Sequence, residues 1–163
     1  MICSKLLVIC IGNLLRGDDG AAHYLGVQLA QTKFPARINI RRVHQLLPEY
    51  ALLLRDVQTV VFVDASVSLP PGEVKCERVF AVNNSKIRYL HNMQPGILLQ
   101  LAGQIMDSPP PAYQLTIGAK AFEEAYHLSP EVWRAMPVAI TKFRNLIFNL
   151  HKAHTSSGVE LPS

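Results

Sequence analysis

The chain has 163 residues, 49% of them apolar and 17% charged, with a formal net charge of +4. That length suits one domain with a substantial core, and no apolar run reaches the ~18–20 residues of a membrane span. The basic residues are scattered rather than interleaved with aromatics, which argues against a nucleic-acid partner.

Residues 6–11 are apolar at every position, as in a central parallel strand covered on both faces. The run stops at Gly12-Asn13 and opens into Leu14-Leu15-Arg16-Gly17-Asp18-Asp19-Gly20. Asp18 or Asp19 is expected to cap the helix that follows, whose apolar positions Ala22, Leu25, Leu29 and Ala30 have helical spacing. Phe34-Pro35 ends it. Residues 38–43 alternate and suit a strand nearer an edge, and Pro48 starts a short helix through Leu54. The β-branched run 59–63 is a second central strand, ending at Asp64. After a turn at Pro70-Pro71-Gly72, residues 73–80 read as another strand.

Residues 83–94 are polar and read as a loop. Pro95 then begins a helix with Ile97, Leu98, Leu101, Ala102 and Ile105 on one stripe. Pro109-Pro110-Pro111 is a rigid connector, and residues 113–117 form a short strand. Ser129-Pro130-Glu131 has the cap, first-turn proline and first-turn acid of a helix start. That helix runs towards Lys152, and Pro137 is expected to kink or split it. Residues 1–153 make one domain, and the Ser, Gly and Pro-rich tail 154–163 is expected to be disordered.

Strands alternating with helices predict an α/β three-layer sandwich, a twisted, mostly parallel sheet with helices on both faces. Right-handed crossovers place strands 6–11 and 59–63 side by side in a flavodoxin-like order. Asp19 follows one of these strands and Asp64 ends the other, so both lie at the topological switch point. The N-terminal apolar run is too short for a secretory signal, and a cytoplasmic location is expected.

Asp18, Asp19, Asp64 and His91 are the candidate site residues, because a borderline divalent metal accepts both carboxylate oxygen and imidazole nitrogen. Each also has a plainer role open to it: a helix cap for Asp18 or Asp19, a turn residue for Asp64, a solvated histidine for His91. The acidic loop lacks the GxGxxG and GxxxxGK[ST] spacings, and two aspartates there repel phosphate. There is no GxSxG elbow, and Cys10 falls mid-strand, a poor place for a nucleophile. Cys3, Cys10 and Cys76 lack CxxC spacing and read as reduced core thiols. His23, His44, His127, His151 and His154 lack metal-binding spacing.

The stretch Gly12-Asn13-Leu14-Leu15-Arg16-Gly17-Asp18-Asp19-Gly20 resembles the opening motif of the hydrogenase maturation endopeptidases. These are nickel-dependent proteases that process [NiFe]-hydrogenase large subunits. Val61-Phe62-Val63-Asp64-Ala65 resembles the family's second metal-ligand segment. His91-Asn92-Met93-Gln94-Pro95 with Leu98-Leu99-Gln100-Leu101 resembles its histidine segment. Leu115-Thr116-Ile117-Gly118 and Leu128-Ser129-Pro130-Glu131-Val132 resemble its C-terminal half, so the likeness spans about residues 5–150. One departure is Ala22, where many members carry glycine.

The resemblance implies Asp19, Asp64 and His91 as metal ligands, with Asp19 or Asp18 assisting an attacking water. It implies an endopeptidase that removes a C-terminal peptide from a nickel-loaded large-subunit precursor, the nickel being supplied with that substrate. A monomer is expected, as are specificity contacts over loops 65–72 and 83–94. The competing reading is a non-catalytic metal-binding or chaperone module on the same fold.

Overall fold

A computed structural model describes residues 5–83 and 93–156. Strand β1 (Lys5–Ile11) leads through a 3-10 turn (Gly17–Gly20) into helix α1 (Ala21–Gln31) and strand β2 (Arg37–Val43). A second 3-10 segment (Pro48–Leu54) precedes β3 (Thr59–Ser66) and β4 (Val74–Val79). Helix α2 (Pro95–Ile105), strand β5 (Ala112–Gly118) and helix α3 (Pro130–Ser156) complete the described chain. The sheet order is β2-β1-β3-β5-β4. The pairs β1–β2, β1–β3 and β3–β5 are parallel, and only β4 runs antiparallel, along an edge.

The continuous apolar runs of β1 and β3 have a direct cause in this layering. Leu6, Val8 and Cys10 face α1 and α3 together with Val61 and Val63 of β3. Leu7, Ile9 and Ile11 face the opposite layer with Val60 and Phe62, against Leu98, Leu99 and Ala102 of α2 and Ala51 and Leu54 of the 3-10 segment. Successive residues of a strand point to opposite faces, so a strand covered on both must be apolar throughout. The three-layer α/β sandwich is the observed architecture.

The antiparallel edge strand β4 agrees with the mostly parallel sheet expected; its alternation marks a strand but carries no direction. Two expectations need adjustment. Helix α3 is not split at Pro137, which lies on the solvent side, and it is one element of 27 residues. The same helix extends to Ser156, so His154, Thr155 and Ser156 belong to it rather than to a disordered tail. Residues 157–163 lie outside the described residues. No described helix is long and apolar enough to cross a membrane.

Candidate active site

The carboxyl ends of β1 and β3 are neighbours in register, with Cys10 opposite Val63. Asp64 comes next on β3, and the chain leaving β1 turns at Gly12. Gly12 has φ +148°, a region side chains avoid. A Cβ there would also overlap the main-chain oxygen of Asp19. Glycine at this position therefore lets the Asp19 turn fold back over the end of β1, and this closeness brings Asp19 to β3.

The loop between them is tied at several points. Asn13 accepts at Oδ1 from the Leu15 N–H at 2.9 Å, and the Arg16 N–H donates to the Asn13 carbonyl at 3.2 Å. Gly17 N–H donates to the Ala125 carbonyl at 2.9 Å, and Ala125 N–H returns a bond to Leu15 at 3.2 Å. The Arg16 Nε–H reaches the Phe122 carbonyl at 3.3 Å.

The two adjacent aspartates face different surroundings. Asp18 is 2% exposed and is bonded to the segment between β5 and α3. Its Oδ1 accepts the Ser129 N–H at 2.7 Å; its Oδ2 accepts the Lys120 N–H at 2.9 Å and the Ser129 hydroxyl at 2.8 Å. Ser129 in turn accepts the Val132 N–H at 3.4 Å, the helix cap expected from its sequence. Asp18 thus stitches the β1 loop to the segment after β5. Neither Asp18 nor Asp19 caps α1, whose preceding residue is Gly20 without a side-chain cap bond.

Asp19 and Asp64 form the pair at the sheet edge. Asp19 accepts at Oδ2 from the Asn13 N–H at 3.1 Å, and Asp64 accepts at Oδ1 from the Ala65 N–H at 2.8 Å. Each carboxylate has one oxygen held by the backbone, and among the described residues the other has no hydrogen-bond partner. Burial pushes the Asp64 carboxyl up to about 7; the Ala65 bond opposes the rise and the Asp19 charge adds to it. The two carboxylates are therefore close enough to feel each other. The ion pairs among the described residues are Lys75 with Glu77 and Lys120 with Glu131, so neither Asp19 nor Asp64 has a basic partner. Two hard oxygen donors, near enough to interact and without a counter-charge, fit a divalent cation.

Asp64 lines an open cleft of about 420 Å³ with Ile11, Gln45, Leu46, Met93, Gln94, Pro95 and Gln114. His91 lies outside the described residues, as do 84–92 as a whole; Met93, two positions later in the chain, is on the cleft wall. Among the described residues no group of three His, Cys, Asp or Glu side chains is assembled for a metal. Cys10 is fully buried and its thiol is pushed up to about 12 by that burial, which fits its exclusion as a nucleophile.

The residue that spacing missed is His23. On α1, one turn past Asp19, its Nε2 lies 2.7 Å from the Gly12 carbonyl oxygen and 3.1 Å from that of Val43. Its partners are main-chain atoms, so a search for paired side-chain ligands passes over it. Its only signal in the sequence is its nearness to Asp19, four residues earlier.

No protein-family model matches the sequence, and no curated protein sequence matches it. Solved structures do share the fold. The hydrogenase maturating endopeptidase HybD from E. coli is 19% identical, with a TM-score of 0.67 over 96% of this chain and 95% of that one. The hydrogenase 2 maturation peptidase of a Thaumarchaeota archaeon is 22% identical, with a TM-score of 0.64 over 86% and 95%. The [NiFe] hydrogenase maturation protease HybD from Thermococcus kodakarensis is 22% identical, with a TM-score of 0.64 over 88% and 99%. The chain has the fold of these maturation proteases over nearly their whole length.

Proposed function

We propose that this protein is a maturation endopeptidase that removes a C-terminal peptide from the nickel-loaded precursor of a [NiFe]-hydrogenase large subunit. The observation that carries this reading is the pair Asp19 and Asp64, uncompensated at the ends of adjacent parallel strands, in a fold shared with proteases of that name. The sequence motifs around Asp19, Asp64 and His91 support it independently.

In this reading the protein's own residues prepare a half-site. The unpartnered oxygens of Asp19 and Asp64 provide two ligands, and His91 provides the third. A nickel ion carried in by the precursor would polarise the scissile carbonyl there. The backbone bonds from Asn13 and Ala65 fix the direction of the two carboxylates before substrate arrives. In this reading Asp19 also takes a proton from an attacking water, as carboxylates do. Asp18, with both oxygens already engaged by three donors, acts by holding the loop in place. The exposed Leu14 and Leu15 on that loop offer apolar contacts to a docking precursor.

The test uses purified full-length protein with nickel-loaded and nickel-free large-subunit precursor, following the released peptide by mass spectrometry. Release from the loaded precursor alone is expected, with Asp19→Asn slower by at least about tenfold. An Asp19→Asn variant as fast as the parent would remove Asp19 from the site. Binding of the loaded precursor without any cleavage would favour the non-catalytic metal-binding module.

A further inference from the structure

The Nε2 atom of His23 faces two carbonyl oxygens, those of Gly12 at 2.7 Å and Val43 at 3.1 Å. Carbonyl oxygens only accept, so Nε2 carries the hydrogen and donates to both. The Gly12 carbonyl is one end of the peptide joining Gly12 to Asn13. The other end of that same peptide is the Asn13 N–H, which donates to Asp19 Oδ2 at 3.1 Å. A trans peptide is planar, and its C=O and N–H point in opposite directions. A donor fixed on the oxygen side therefore determines where the N–H points.

We infer that His23 is a positioning residue for the candidate site: it holds the peptide joining Gly12 to Asn13 so that the Asn13 N–H faces and orients the Asp19 carboxylate. The inference rests on the reading of Asp19 as a cation-binding carboxylate.

The need for such a lock follows from Gly12. Its N–H is tied to the Val43 carbonyl at 3.0 Å, so the strand end is fixed up to its Cα. Beyond that point, rotation about the bonds flanking the next peptide is opposed less at glycine than at any other residue. A flipped peptide would turn the Gly12 carbonyl towards Asp19 Oδ2, setting acceptor against acceptor and leaving the carboxylate without its donor. His23 makes the observed orientation the one in which all three groups are satisfied. The Val43 carbonyl, bonded to both Gly12 N–H and His23, anchors the imidazole to the edge strand β2. This is an outer partner of the kind that sets the direction of a metal ligand.

The test compares H23Q, whose amide N–H reaches about as far as Nε2, with H23N, the same group one methylene shorter. In 15N-labelled, metal-free, full-length protein, the Asn13 amide proton is expected downfield in the parent and in H23Q, and shifted upfield in H23N. Titration with Ni²⁺ alone by calorimetry is expected to give H23Q within about threefold of the parent and H23N weaker by about 10- to 100-fold. An H23N variant with the parent's Asn13 shift, or an H23Q variant that loses it, overturns the inference. If H23N does not fold, the Asn13 shift of H23Q decides alone. If the parent takes up no Ni²⁺ by itself, as a half-site completed by the precursor allows, the Asn13 shift alone decides the role of His23.

Discussion

Asp18→Ala is expected to destabilise the folded protein by about 3–5 kcal/mol, whereas Asp19→Asn, one residue on, is expected to change stability by less than about 1 kcal/mol. Asp18 is 2% exposed and receives three donors, two of them backbone N–H groups of segments over 100 residues away in the chain. Its removal leaves the part-buried Lys120 and Ser129 N–H bonds without their acceptor, and each such loss costs about 1–3 kcal/mol. Asp18→Asn is expected to recover little, because its NH₂ would meet a donor on one side. Asp19 spends one oxygen on a backbone N–H and is only half-buried, and asparagine keeps an acceptor for Asn13. Denaturant midpoints at constant slope report the difference. A loss below about 1 kcal/mol for Asp18→Ala would mean that water replaces the carboxylate and that Asp18 does not hold the loop.

This contrast also marks where sequence reading stops. The strands β1 and β3 are legible because burial on both faces demands unbroken apolar runs, and Pro95 and Ser129-Pro130 mark the starts of α2 and α3 by local chemistry. The neighbourhood of Asp19 and Asp64 follows from the handedness of crossovers between those strands. Local pattern offers Asp18 the role of a cap because capping is a short-range signal; its partner Ser129 is 111 residues away, and no local signal reports that bond. His23 is hidden for a related reason: the carbonyls it serves, at Gly12 and Val43, carry no side-chain signature. The run through Pro137 reflects tertiary packing. Val132, Ala135, Met136 and Ala139 are buried on one side of α3 and hold the helix together across a proline that faces solvent.

The candidate site has a stability cost that depends on pH. Asp64 has its carboxyl pushed up to about 7 by burial and further by the charge of Asp19, from an ordinary value of 3.8. Below pH 3.8 both the folded and the unfolded chain hold the proton and the site costs nothing. Between 3.8 and about 7 the unfolded chain gives up its proton while the folded one keeps it, so stability falls as pH rises. Above about 7 the cost is complete, on the order of 4 kcal/mol at about 1.4 kcal/mol per unit. Asp64→Asn keeps an acceptor for the Ala65 N–H and removes the charge. The variant is expected to match the parent near pH 4 and to exceed it by about that amount at pH 8, read as the difference in denaturant midpoints across the range. Equal stability at pH 8 would place Asp64 in a more solvated setting and weaken the case for a pair of mutually repelling carboxylates. The same variant is expected to lose Ni²⁺ binding, since the charge that destabilises the empty pair is what attracts a cation. A gain in stability together with a loss of binding is the trade-off expected of a functional site, and a purely structural aspartate would show neither.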